Sequence, residues 1–145
     1  MNKSLAKLLS SAVVLGSVFF SLQTTASPQD WQRIKRPIPA ADGKANPIGS
    51  YSNGCIIGAE PLPYKGEGYQ VIRMNKNRYY GHPDMIAYLQ RLGQKAKSAG
   101  LPTMLVGDIA MPGGGRFLTG HASHQMGLDA DIWLRMGTMT DSEAS

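Results

Sequence analysis

Proline and glycine break this chain so often that its clearest regular pattern is confined to Pro83 through Ala99. Pro83 suits a first helical position, because the backbone donor it lacks would have stood unpaired there, and His82 immediately precedes it. Met85, Ile86, Leu89, Leu92 and Ala96 then recur at the spacing of one helix face. Lys95 and Lys97 favour the C-terminal end of the helix dipole, and Gly100 can close the helix in a left-handed cap. The rest must be assembled from short pieces around that helix. From Pro28 to Pro63, the residues Pro37, Pro39, Pro47, Pro61 and Pro63 each remove a donor, so most of this segment is expected to be irregular. Its apolar centre is Cys55-Ile56-Ile57, after the turn-like Ser52-Asn53-Gly54. The expectation is an extended arm laid against the domain, anchored by Trp31 and Tyr51.

Strand signals are short. Tyr69 to Met74 combines aromatic and β-branched residues between Gly66/Gly68 and Asn75-Lys76-Asn77, which reads as a strand ended by a turn. Thr103 to Ile109 reads as a buried strand, followed by the loop Met111-Pro112-Gly113-Gly114-Gly115-Arg116. Asp129 to Arg135 alternates, with Asp129, Asp131 and Trp133 on one face and Ala130, Ile132 and Leu134 on the other. Thr138 to Ser145 is polar and without period, like a loop or a severed end. Strands interleaved with one clear helix place the chain in the α+β class.

The N-terminus is set apart. Lys3 and Lys7 precede an apolar run from Leu8 to Leu22, then Thr24, Thr25 and Ala26, the layout of a secretory signal peptide cut after Ala26. The alternative is an uncleaved anchor, although the run is shorter than the roughly 20 residues that span a bilayer. Without Lys3 and Lys7 the formal charge of +5 falls to +3. The remaining basic residues are scattered rather than gathered on one face, so nucleic acid is not an expected partner. Cys55 is the only cysteine. In an oxidising compartment a lone thiol suggests a partner outside this sequence; the other reading is a buried free cysteine packing as a small hydrophobe.

Chemistry concentrates in His121-Ala122-Ser123-His124-Gln125-Met126-Gly127-Leu128-Asp129-Ala130-Asp131. Catalytic zinc commonly takes three protein ligands from His and Asp/Glu and leaves one position open. His124 and Asp131 can supply two of them, if Gly127 bends the chain so that both converge. Asp129 shares the face of Asp131 and can hold a ligand imidazole in its tautomer. His121, three residues before His124, is either a further ligand or a hydrogen-bonding neighbour. His82 in its Gly-His-Pro turn reads as a helix cap or packing residue, the alternative being a ligand. The glycine-rich loop lacks the Gly-Lys-Ser/Thr ending of a P-loop. Its expected role is to let backbone approach an extended peptide, with Arg116 facing a substrate carboxylate.

Ser123-x-His124, then Gly127 and Asp131, is similar to the first half of the zinc signature in the group that includes lysostaphin, D-alanyl-D-alanine carboxypeptidases and Sonic hedgehog. Ser52-Asn53-Gly54-Cys55, Tyr79-Tyr80-Gly81-His82-Pro83, Gly107-Asp108, Met111-Pro112, Gly114-Gly115-Arg116-Phe117 and Gly120 through Ile132 resemble the penicillin-insensitive murein endopeptidase family of Gram-negative bacteria. The resemblance runs from about Trp31 to Trp133. It implies a small antiparallel sheet with the helix packed on it and long irregular segments. It also implies that His121, His124 and Asp131 are Zn²⁺ ligands or immediate site residues, and that Cys55 pairs with a distant cysteine. The implied protein is a periplasmic enzyme that hydrolyses D-alanyl-diaminopimelate cross-links in peptidoglycan, by metal-assisted attack of water with a general base.

The family also uses a His-x-His pair in a later strand, and this sequence has none. The expectation is therefore that residues 27–145 are the N-terminal part of a murein endopeptidase domain, with the general base and remaining ligand beyond residue 145. Such a piece would bind metal poorly and lack hydrolase activity. The alternative is a non-catalytic zinc or murein-binding module.

Overall fold

The computed structural model describes residues 27–145, so the expected leader and its cleavage point lie outside the described residues. The predicted helix is α2, Pro83–Ser98. The His82 ring caps it, with Nδ1 accepting from the Asp84 backbone N–H at 3.2 Å. At the other end the Gly100 N–H donates to the Lys97 carbonyl at 2.9 Å and the Leu101 N–H to that of Ala96 at 3.0 Å. These are the paired bonds of a Schellman ending. Ile86 and Leu89 turn inward and join Leu62, Tyr69, Val71, Met104, Val106 and Ile109 in the main core. Each such aliphatic side chain withdrawn from water contributes about 1.5–3 kcal/mol.

The strands are shorter than their sequence signals. Tyr69 to Met74 becomes β5, Tyr69–Val71, and then a 3-10 turn at Met74–Lys76. Thr103 to Ile109 contracts to β7, Met104–Val106. β4, Lys65–Gly66, pairs with β5 antiparallel, whereas β5 and β7 run parallel. A parallel pair needs a long crossover, and the chain between these two strands supplies it: β6, Tyr80–Gly81, then α2. β3, Glu60–Pro61, pairs with β6, and β1, Asn46–Ser50, with β2, Asn53–Ile57, both antiparallel. The α+β class holds, with small sheets that are antiparallel except at β5–β7. Among the described residues no helix is long and apolar enough to cross a membrane.

The N-terminal arm is more ordered than its prolines suggest. α1, Pro28–Arg33, forms because Ser27 opens it: its N–H and hydroxyl both donate to Asp30 Oδ2 at 2.8 Å. The β1–β2 hairpin takes up Pro47 at a strand edge, where a missing donor is tolerated. Trp31 anchors the arm as expected, its ring lying where a Cβ on Gly115 would collide with it. Tyr51 does not, being 69% exposed at the hairpin turn. The tail also differs from a loose end. Gln70 clasps Met139 through two hydrogen bonds of 2.9 Å, one to its carbonyl and one from its N–H. α3, Asp141–Ala144, then buries Ala144 beside Ile72 and Leu105. The capping pair Thr140 and Glu143 drives this turn, with the Thr140 N–H donating to Glu143 Oε2 at 2.8 Å.

Candidate metal centre

The segment from Asp129 to Trp133 runs antiparallel along the end of β7 and beyond it. The Gly107 N–H donates to the Asp131 carbonyl at 2.8 Å, the Asp131 N–H to that of Asp108 at 2.9 Å, and the Trp133 N–H to that of Leu105 at 3.0 Å. Only a single bridge, Val106 to Ile132, is regular, so the expected strand over Asp129 to Arg135 is an extended ladder instead. Its expected apolar face is kept only at Ala130, which packs on the core. Ile132 and Leu134 are exposed. The polar face forms as expected, because the ladder fixes the Asp131 backbone on both sides.

Into this face the preceding loop delivers both histidines. His121 Nδ1 stands 3.0 Å from His124 Nε2. Asp131 closes the triangle, with Oδ2 3.3 Å from His121 Nδ1 and Oδ1 3.4 Å from His124 Nε2. One donor atom from each of the three residues lies within 4.8 Å of the others. Gly127 makes the bend, at φ 66° and packed on the Gly81 backbone, and its carbonyl accepts from the His82 N–H at 2.8 Å. His124 itself is left-handed, at φ 67°. A non-glycine residue there is uncommon, and such strain gathers where a site must hold a side chain in place.

His124 is buried, whereas His121 is exposed. The His124 Nδ1 lies 2.9 Å from Asp129 Oδ2, an approach short of an aligned hydrogen bond, and among the described residues no other partner reaches that atom. Burial pulls the His124 pKa down, but close contact with Asp129 and the charges of Asp129, Asp131 and Asp108 outweigh it and raise it above the ordinary value. Burial pushes the Asp129 carboxyl up, and the same contact with His124, helped by Ser123 and the His124 backbone, brings it below its usual range. A proton on Nδ1, facing Asp129, leaves the Nε2 lone pair aimed at His121 and Asp131.

The supports of the site come from far along the chain. Phe117 stacks on the His124 ring, centroids 5.8 Å apart. Over the Phe117 ring, at 3.8 Å, lies the guanidinium of Arg78. Asp108 holds Arg78 through a buried ion pair of 3.0 Å and reaches Arg73 at 3.3 Å. Its carbonyl also receives the Asp131 N–H, so one residue steadies two sides of the triangle. Buried Gln125 accepts from the Gly54 N–H at 3.0 Å and donates to the Ala122 carbonyl at 2.7 Å, tying the β1–β2 hairpin to the histidine loop. Sequence reasoning assigned no role to Arg78, Asp108, Phe117 or Gln125. The only signal was that Gly107-Asp108, Phe117 and Gln125 fall inside the matched motifs.

Other expected residues stand apart from the triangle. His82 is the helix cap described above. Gly113, Gly114 and Gly115 are buried against the protein's own chain, meeting Ile34, the Gln125 carbonyl and Trp31 in turn, rather than open to a peptide. This corrects the expectation that they form a substrate cradle. Arg116 is exposed and makes no ion pair among the described residues. Cys55, on β2, is half-buried, and burial raises its thiol pKa.

The donor set suits zinc. Ligands about 2.0–2.2 Å from a tetrahedral ion stand roughly 3.3–3.6 Å apart, and the three approaches here are 3.0, 3.3 and 3.4 Å. Buried Nδ1 against Asp129 supplies the outer contact that a ligating histidine usually has.

A family model described as penicillin-insensitive murein endopeptidase matches residues 47–145. The chain is 75% identical over 144 residues to the penicillin-insensitive murein endopeptidase of Haemophilus influenzae, covering 99% of this chain and 49% of that protein. It is 48% identical over 134 residues to proteins of the same name from Salmonella paratyphi B and Salmonella newport, covering 92% of this chain and 47% of theirs. The chain thus spans about half the length of the curated relatives it matches.

Proposed function

This chain belongs to the penicillin-insensitive murein endopeptidase family, and from that premise we propose that His121, His124 and Asp131 hold zinc for the hydrolysis of D-alanyl-diaminopimelate cross-links in peptidoglycan. The observation that carries the reading is the convergence of the three donors, with Asp129 behind His124. A zinc ion held there supplies Lewis acidity toward a carbonyl oxygen and toward water.

The chain's own residues prepare that chemistry. Asp129 keeps the His124 Nε2 lone pair directed inward, and the ladder to Gly107 and Asp108 keeps Asp131 facing it. Phe117 covers the imidazole face and excludes water from it. Murein lies outside the cytoplasm, so the proposed location is the periplasm, reached through the N-terminal leader, where Cys55 is free to form a disulfide.

Zinc content of the chain extended by the second half of a relative tests the first part. About one bound ion is expected, and His124→Ala should lose it; unchanged content would count against the site. Conversion of cross-linked muropeptide dimers to monomers tests the second, with the chain extended by the second half of a relative. His124→Ala should abolish conversion. Zinc and muropeptide binding without any cleavage in that extended form would point instead to a non-catalytic binding module.

A further inference from the structure

A cavity of about 310 Å³, separated from His124 by Arg78 and Phe117, has a polar lining that includes Lys35, Lys76, Asn75, Asn77 and Thr119. Among the described residues no Asp or Glu lines it. Arg78 also contributes to its wall, but that charge is already matched by Asp108 at 3.0 Å. Lys35 and Lys76 make no ion pair among the described residues. Two unmatched ammonium groups and several amides in one concavity attract and orient an anion, because low-dielectric walls focus the field. Asn77, at φ 55°, ends the 3-10 turn in the left-handed conformation that asparagine tolerates, which sets Asn75, Lys76 and Asn77 along one wall.

The cavity and the metal centre share structure. Leu118 and Thr119 line the cavity, and the same loop continues to His121. Arg78 forms cavity wall on one side and covers Phe117, which stacks on His124, on the other. Gln32 and apolar Ile34, Met111 and Pro112 complete the lining, so an occupant meets both a charged and an aliphatic surface. The volume is at the small end of ligand pockets, enough for one acidic branch of a peptide rather than a whole chain.

We infer that this cavity is an anion subsite that takes a carboxylate of the peptide substrate and so sets the substrate's register against the metal centre. The inference rests on the proposed murein endopeptidase reading. It is tested with the zinc-loaded chain, a cross-linked muropeptide dimer bearing free carboxylates, and the same dimer with every carboxyl amidated. Backbone amide resonances report where each binds.

The free-acid dimer should shift Asn75, Lys76, Asn77 and Thr119. Amidation, or the exposed double variant Lys35→Gln/Lys76→Gln, should weaken binding by about 10-fold or more, the equivalent of one charge-assisted hydrogen bond. Zinc affinity of the double variant should be unchanged. Inorganic phosphate shifting the same resonances at equal concentration would overturn the inference, since the cavity would then take any anion. So would both dimers binding equally, with shifts confined to His121 and His124; that result would leave the endopeptidase reading standing. If neither dimer bound a zinc-loaded chain, both readings would be overturned.

Discussion

Replacing Asp108 by asparagine isolates the interaction that joins fold and site. The Asp108 side chain is 5% exposed and that of Arg78 9%, with 3.0 Å between Oδ2 and Nη1. The variant leaves the guanidinium buried without its anion, and breaking such a pair costs about 3–5 kcal/mol. The asparagine carbonyl retains one hydrogen bond, returning about 0.5–1.5 kcal/mol. Arg73, 36% exposed and 3.3 Å away, adds at most about 1 kcal/mol of further loss. The expected destabilisation is therefore about 2–5 kcal/mol. In urea, with a slope of about 1–3 kcal/mol per molar, the midpoint should fall by roughly 1 M or more. Trp31 and Trp133 fluorescence follows the transition in the metal-free chain. Zinc affinity should fall as well, by about 10-fold, because Arg78 steadies Phe117 on His124. Lys65→Gln is the control: its pair with Asp141, at 2.6 Å, joins side chains 61% and 75% exposed. Such pairs contribute about 0–1 kcal/mol. If Asp108→Asn melts with the control and binds zinc like the unmodified chain, the coupling of the buried pair to the site is refuted.

Asp129→Asn should weaken zinc binding about 10- to 100-fold, measured by competition with a chelator. In the metal-free chain it should also lower the His124 pKa, since burial then acts with less opposition; an imidazole titration by NMR that moved to higher pH would contradict this. At Gly107 an added Cβ would stand 3.3 Å from Trp133 Nε1 and 3.4 Å from the Asp131 Cβ. Gly107→Ala should therefore displace Asp131 slightly, reducing zinc affinity more than it shifts the urea midpoint. Burial raises the Cys55 thiol pKa, so at mildly alkaline pH the folded chain holds less thiolate than a free thiol does. Alkylation should be slower than that of glutathione and should accelerate on unfolding; equal rates in the folded and unfolded chain would show that the thiol is not shielded.

What the amino-acid order determined alone is what acts over a few residues. His82, Pro83 and Gly100 delimit α2, because capping and backbone preference involve only neighbours. Asp129 and Asp131 share a face for the same reason, and Gly127 permits the turn that His124 and Asp131 require. Segments whose order depends on distant contacts carry no such local signal. The tail folds because Gln70 clasps Met139, and the glycine loop is closed by Trp31.

The centre shows the same division. Histidine and aspartate at the right spacing marked candidate donors, and spacing alone leaves His121 open between ligand and neighbour. Its 3.0 Å approach to His124 exists only because the β7 ladder, Phe117 and Gln125 hold the loop in one place. Asp108 and Arg78 are 30 positions apart, and no local pattern relates them. Their pairing arises when the chain closes on itself and must match a buried cation with an anion. Sequence determined which chemistry was available, through residue type and short-range geometry. Tertiary structure decided which of those groups meet, because burial and long-range charge matching exist only in the folded chain.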